Sequence, residues 1–311
     1  MPHLPDPNRR LTVAGRQVLA LVVVMLVAAC GGAGASPSGP DGTLRVVTTT
    51  TVFADLVEQV GGPDVTVHSL VPKGGEVHTF DPTPRGFEQV ARAQLLVANG
   101  LGLDDWLVKV ASDTGTAAPV VTLADGVPAD RLLGDEDGTP NPHLWLDVSL
   151  ARLYVAHLAE ALATADPAHA AAFRERATTY DRRLAMLDTT IRGRLATVPA
   201  DDRKVISFHD AFPYFAQAYG LDIVGTIVDA PGQDPSAGEV AKLVDAVKTN
   251  GVAAVIAEAQ FNADLVRTLA DETGARVVTD LYDDTLGDPP IDTYEAMLTW
   301  DADRLTEALS D

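Results

Sequence analysis

The sequence is poor in cysteine: Cys30 is the only one in 311 residues. A single thiol excludes an intramolecular disulfide and any thiolate metal site such as a zinc finger. Basic residues are also scarce. Against 44 Asp and Glu stand 23 Lys and Arg, a formal charge of −21 at pH 7. That deficit argues against nucleic-acid binding, which needs a basic face to neutralise phosphates. It suits a soluble surface and does not repel a cationic ligand. No Gly-rich phosphate-binding loop is present, so ATP hydrolysis is not expected here, and no His-Glu-x-x-His helix of a zinc protease is found. No apolar stretch is long enough to cross a bilayer, the longest being a run near the start. What remains is substantial. Hydrophobic residues make up 46%, enough to bury a real core and to exclude a wholly disordered chain. The length is that of two ordinary domains or one large one.

The apolar run occupies residues 18–29, behind a basic flank of Arg9, Arg10 and Arg16. Twelve residues of helix reach about 18 Å, short of a hydrocarbon core of about 30 Å. A basic flank, a short apolar run and small residues at its end describe an export signal. The run stops at Val27-Ala28-Ala29-Cys30-Gly31, which resembles the bacterial lipobox. The expectation is a signal peptide over 1–29, with Cys30 lipidated as the mature N-terminus. Residues 30–42, rich in Gly, Ala, Ser and Pro, then form a flexible tether.

From residue 43 the pattern alternates strand and helix. Residues 44–49, 65–71, 94–98 and 119–123 read as strands, with helices at 52–60, 86–93 and 104–112 between them. Residues 72–84 are a long loop punctuated by Pro and Gly, and 124–142 an acidic loop. Asp166-Pro167 reads as a helix start. Helical spacing runs from there through Phe173, Ala177, Tyr180, Leu184, Leu187, Ile191 and Leu195 to about residue 198. Alternation then resumes, with strands at 204–208, 221–226, 253–257 and 276–279. The fold class is α/β: two lobes, each with a mainly parallel sheet flanked by helices, joined by one long helix. The expected segments are an N-terminal lobe over 43–165, the linking helix over 166–199 and a C-terminal lobe over 200–311.

Ligands of open parallel sheets bind in the loops beyond the carboxyl ends of the strands. Four side chains with metal-binding chemistry lie in such loops: His78 and His143 in the first half, His209 directly after a strand, and Asp284 after the last core strand, with Asp283 as its rival. Imidazole and carboxylate suit zinc, and also manganese or iron. Two donors from each half would put the ion between the lobes. No local ligand motif binds them together, so spacing alone carries little weight. His68, His157 and His169 have no such setting: His68 reads as a packed or hydrogen-bonded strand residue, the other two as surface residues of helices.

Four stretches sharpen this: PKGGEVHTFDPTP (72–84), NPHLWLDV (141–148), SFHDAFPYFAQAYGL (207–221) and LYDDTLGD (281–288). They resemble the zinc/manganese solute-binding proteins of bacterial metal ABC importers, the ZnuA/TroA type. AEAQFN (257–262) and the long central helix fit the same family. The resemblance implies two α/β lobes with the metal in the cleft, and His78, His143, His209 and Asp284 as its ligands. Thr285 stands where the family usually has Ser. Glu258 matches an acidic position that supports the ligands from behind, and Asn141 and Asp210 are candidates to orient imidazoles. The resemblance further implies a monomer, lipid-anchored on the outer face of the membrane, that delivers its ion to a permease driven by a separate ATPase.

Histidine at position 209, where manganese-handling relatives tend to carry a carboxylate, favours Zn²⁺ over Mn²⁺. A manganese or mixed-metal binder is the alternative. The acidic loop ahead of His143 lacks the histidines that many zinc-specific relatives carry there. Histidine ligation would weaken binding as pH falls through about 6.5. From other classes, a zinc hydrolase would use Glu258 as base beside an open coordination position, and a lipid-anchored adhesin would merely contain metal. A fourth protein ligand closes the site and argues for cargo.

Overall fold

The computed structural model describes residues 42–134, 138–228, 236–261 and 264–310. The expected export signal, Cys30, nearly all of the tether and three carboxylates of the acidic loop (Asp135, Glu136 and Asp137) lie outside them. Among the described residues no helix is long and apolar enough to cross a membrane.

The first half builds a sheet from β1 (Leu44–Thr48), β2 (Val65–Ser69), β3 (Leu95–Ala98) and β4 (Val120–Thr122), with α1 (Thr51–Gly61), α2 (Pro84–Arg92) and α3 (Trp106–Thr114) between the strands. The second half repeats the plan. Its strands are β5 (Lys204–Ser207), β6 (Asp222–Thr226), β7 (Ala254–Glu258) and β8 (Arg276–Leu281). All strands pair in parallel, in the orders β2-β1-β3-β4 and β6-β5-β7-β8. The burial patterns explain the arrangement. β3 (LLVA) and β7 (AVIAE) are buried at every position, as strands covered on both faces must be. The edge strand β2 alternates half-buried and exposed positions. His68 falls on an exposed position of it and is not packed.

In each sheet the chain moves to one side of its first strand and then crosses to the other. The order therefore reverses between β1 and β3, and between β5 and β7, which is where an open parallel sheet leaves a crevice for ligand.

Between the sheets run α4 (Val148–Ala165) and α5 (Ala170–Leu195). The apolar stripe read from the sequence is the buried face of α5, from Phe173 to Leu195. Its start differs from the expectation. Asp166-Pro167 opens no helix; it forms the turn in which α4 ends and the chain passes into α5. Asp166 takes the N–H groups of Ala168 and His169, and its own N–H closes α4 on Leu162 O. The linking helix thus has 26 residues.

The last four helices are α6 (Pro213–Tyr219), α7 (Ala237–Asn250), α8 (Asp264–Thr273) and α9 (Tyr294–Ser310). One core runs through both halves. It joins Phe53 and Leu95 of the first, Tyr154 and Tyr180 of the central helices, and Phe215 and Tyr294 of the second. Each sheet also has a smaller core of its own on its other face, around Val90 and Leu96 in the first and Val255 and Leu269 in the second.

Candidate metal centre

His209 lies two residues beyond β5, and Glu258 is the last residue of β7, so together they straddle the reversal point of the second sheet. A register shift between Ile256 and Glu258 re-aims the end of β7. The result is a 2.8 Å contact between His209 Nδ1 and Glu258 Oε1, with both side chains buried. That contact leaves the opposite ring nitrogen, Nε2, facing the middle of the molecule.

His143 arrives by another route. Leu144, Trp145 and Leu146 form a single 3-10 turn and are completely buried. Asp147 then caps α4 by accepting the Ser149 N–H at 2.7 Å. Trp145 packs edge-on against Phe53 with ring centres 5.1 Å apart and donates its Nε1–H to Asp283 O at 2.8 Å. Anchored on one side by this turn, His143 is held on the other by Asn141, whose Oδ1 stands 3.1 Å from its Nδ1 and accepts its backbone N–H. Asn141 donates in turn to Asp210. Asp210 therefore acts on His143 through Asn141. Asn99, at the carboxyl end of β3, clamps Pro142 O with its side-chain amide and is gripped by the Tyr154 hydroxyl.

His78 sits in the loop after β2. Trp106 Nε1–H donates to Val77 O, and Glu76 Oε1 accepts the His78 N–H at 2.7 Å. Gly74 N–H reaches across to Thr285 Oγ1 at 3.0 Å, tying this loop to the one that carries Asp284. The latter loop is pinned at Tyr282 N–H by Asp301 and at Leu286 N–H by Thr51. Gly287 belongs to its geometry: a Cβ there would meet the Tyr282 ring at 2.8 Å.

The donor atoms converge. His143 Nε2 is 3.4 Å from His209 Nε2. Asp284 Oδ2 is 3.6 Å from His78 Nε2, and its Oδ1 is 3.6 Å from His143 Nε2. One donor atom from each of these residues lies within 4.8 Å of all the others. Donors bonded to a single tetrahedral ion at about 2.0–2.2 Å stand about 3.3–3.6 Å apart. The spacing is therefore that of ligands around an ion. His209, Glu258 and Asp283 form a second, overlapping set. His68, His157 and His169 belong to neither.

The electrostatics ask for a cation. Asp283, Asp284 and Glu258 are all fully buried. Both oxygens of Asp284 and Oδ2 of Asp283 have no hydrogen-bond partner, nor does His78 Nε2. Burial, reinforced by the neighbouring Asp283, raises the Asp284 carboxyl well above its usual range. Burial and the charge of His209 lower His78 to about 4, and burial takes His143 well below its usual value. His209 goes the other way. Burial alone would lower it, but Glu258, Asp283 and Asp284 together lift it to about 10.

Glu76 and Gln260 were not singled out from the sequence, although both lie in the quoted stretches. Glu76 is half-buried beside His78 and is raised to about 7, chiefly by burial. Gln260 Nε2 donates to Asp283 Oδ1 at 2.8 Å. Each lies two positions from a residue the sequence does single out, His78 and Glu258, and that proximity is the available signal.

Two doubly wound parallel sheets, a helix spanning them and a buried imidazole–carboxylate cluster where the halves meet define a two-lobed α/β protein with a site suited to a cation. The sequence model of the zinc-uptake complex component A periplasmic family (ZnuA) matches residues 46–308, and the chain belongs to that family. It is 29% identical to the manganese-binding lipoprotein MntA of Halalkalibacterium halodurans, over 93% of this chain and 96% of that one. It is also 29% identical to the iron-binding protein YfeA of Yersinia pestis, over 88% of each chain. Its fold is similar to that of the periplasmic zinc binding protein TroA of Treponema pallidum. The TM-score there is 0.80 at 27% identity, covering 87% of this chain and 100% of that one. The chain is thus a metal-binding, solute-binding component of a metal ABC importer, not an enzyme.

Proposed function

We propose that this protein captures Zn²⁺ outside the cytoplasm through His78 Nε2, His143 Nε2, His209 Nε2 and Asp284, and hands it to a membrane permease powered by a separate ATPase. The observation that carries the reading is the convergence of these four side chains, two from each half, at 3.4–3.6 Å separations among buried carboxylate oxygens that lack donors. Three imidazoles against one carboxylate favour zinc over the harder Mn²⁺. Glu258 on the far nitrogen of His209 and Asn141 on that of His143 fix which ring nitrogen is offered, the usual task of groups behind metal ligands. Of the three relatives named above, two are described by other metals, manganese and iron, and one by zinc, so Mn²⁺ is the second reading for the same four ligands.

In this reading Cys30 carries the lipid that holds the protein at the membrane, and residues 30–42 are the tether. The name of the MntA relative as a lipoprotein supports that part. Elemental analysis and calorimetry on the soluble chain starting at Gly31, alongside His209→Ala, test the site. One equivalent of zinc is expected in the parent and at least a hundredfold weaker binding in the variant. Unchanged metal content in His209→Ala would remove His209 from the site.

A further inference from the structure

We propose that Asp283 is a further donor to the cargo ion and sets how well the site accepts Mn²⁺ relative to Zn²⁺. The inference rests on the four-ligand reading above and adds to it a carboxylate that the sequence offers only as a rival to Asp284. The geometry gives the two aspartates different places. Asp284 lies between His78 and His143. Asp283 Oδ2 lies 3.5 Å from His209 Nε2, within the 3.4–3.6 Å of the His143–His209, His78–Asp284 and His143–Asp284 pairs, and it clusters with His209 and Glu258. Glu258 occupies the other edge of that imidazole, at Nδ1, so Asp283 is the carboxylate beside the nitrogen that faces the ion.

The side chain is held for this position. Asp283 is fully buried. Its Oδ1 accepts the Asp284 N–H at 2.6 Å and the Gln260 amide at 2.8 Å, and its carbonyl accepts Trp145 Nε1–H. Those bonds fix the plane of the carboxylate and leave Oδ2 without any hydrogen-bond partner. A buried carboxylate oxygen with no donor is costly unless a cation meets it. Among the described residues the His209 ring, 3.5 Å away, is what faces it until an ion arrives.

The chemistry of the two ions then separates them. Zn²⁺ is satisfied by four donors and prefers nitrogen here. Mn²⁺ is harder, seeks more donors and favours carboxylate oxygen. An added oxygen beside His209 therefore helps manganese more than zinc, and offsets the nitrogen-rich set that His209 completes.

The test measures Zn²⁺ and Mn²⁺ binding to the soluble chain starting at Gly31, its Asp283→Asn and Gln260→Ala variants, and His209→Ala as reference. Asparagine keeps an oxygen for the Asp284 N–H and removes the charge at Oδ2. Asp283→Asn is expected to weaken Mn²⁺ at least tenfold while Zn²⁺ changes less than threefold. X-ray absorption of the Mn²⁺ complex should lose one oxygen neighbour. Gln260→Ala, which loosens the carboxylate without discharging it, should shift the ratio the same way by a smaller factor. An unchanged Mn²⁺/Zn²⁺ ratio with His209→Ala still abolishing binding would overturn the role of Asp283 alone. Full binding of both ions by His209→Ala would overturn the four-ligand reading beneath it.

Discussion

At His209 two demands meet. Glu258, Asp283 and Asp284 hold the side chain charged while no metal is bound, and as a proposed ligand it would become a neutral donor when an ion arrives. Its proton is held to about pH 10 by those carboxylates despite burial, whereas His78 and His143 are neutral throughout the physiological range. The sign follows. Below about pH 10 the cation must displace a proton from His209, so affinity rises with pH across 6 to 9. The two neutral imidazoles contribute no break near pH 6.5, the value that unperturbed histidines would give. Calorimetry at pH 7 in buffers of different ionisation enthalpy should register proton release on binding. Zero protons released would contradict the assignment. Glu258→Gln should lower the His209 pKa, flatten the rise of affinity with pH, and weaken binding about 10–100-fold near pH 9, where proton competition is least, the usual cost of losing a group behind a metal ligand. An NMR titration of His209 together with a binding isotherm checks both halves of that expectation.

At the scale of elements, α5 was legible because its buried positions recur every three or four residues over six turns, a pattern that only a helix satisfies. Its beginning was not, because Asp-Pro is equally good at starting a helix and at turning between two. What decided the matter was α4, whose apolar face also needs burial and finds it against α5. Leu184, fully buried in the shared core, is the position where this packing can be weighed. Leu184→Ala should cost about 2–5 kcal/mol in a denaturant melt, with little change in zinc affinity measured well below the transition. A cost under about 1 kcal/mol would mean that α5 is not held by the core as described.

Over the whole molecule, the core that passes from Phe53 through Tyr180 to Tyr294 binds the two sheets into one unit, and a protein so built should melt in one transition. Metal bound only by the folded form adds stability of about 2.7 kcal/mol when free ion is a hundredfold above Kd. Saturating Zn²⁺ should therefore raise Tm by several degrees, and a chelator should reverse the shift. Two separate transitions, of which only one responds to zinc, would show that the halves fold independently and that the site belongs to one of them.

The alternation of strand and helix, the repeat of that plan in both halves, and His78, His143, His209 and Asp284 as the side chains that the fold brings together were readable in the linear chain. They are set by short-range pattern and by quoted stretches that resemble a family. The sequence could not show how Asp283, Glu76 and Gln260 sit against the cluster, or the true start of α5. A side chain's worth as donor or support depends on which oxygen is left without a partner once neighbours from distant segments close around it. That is settled by tertiary contacts such as Trp145 to Asp283 and Gly74 to Thr285, which span more than a hundred residues and leave no trace in local periodicity.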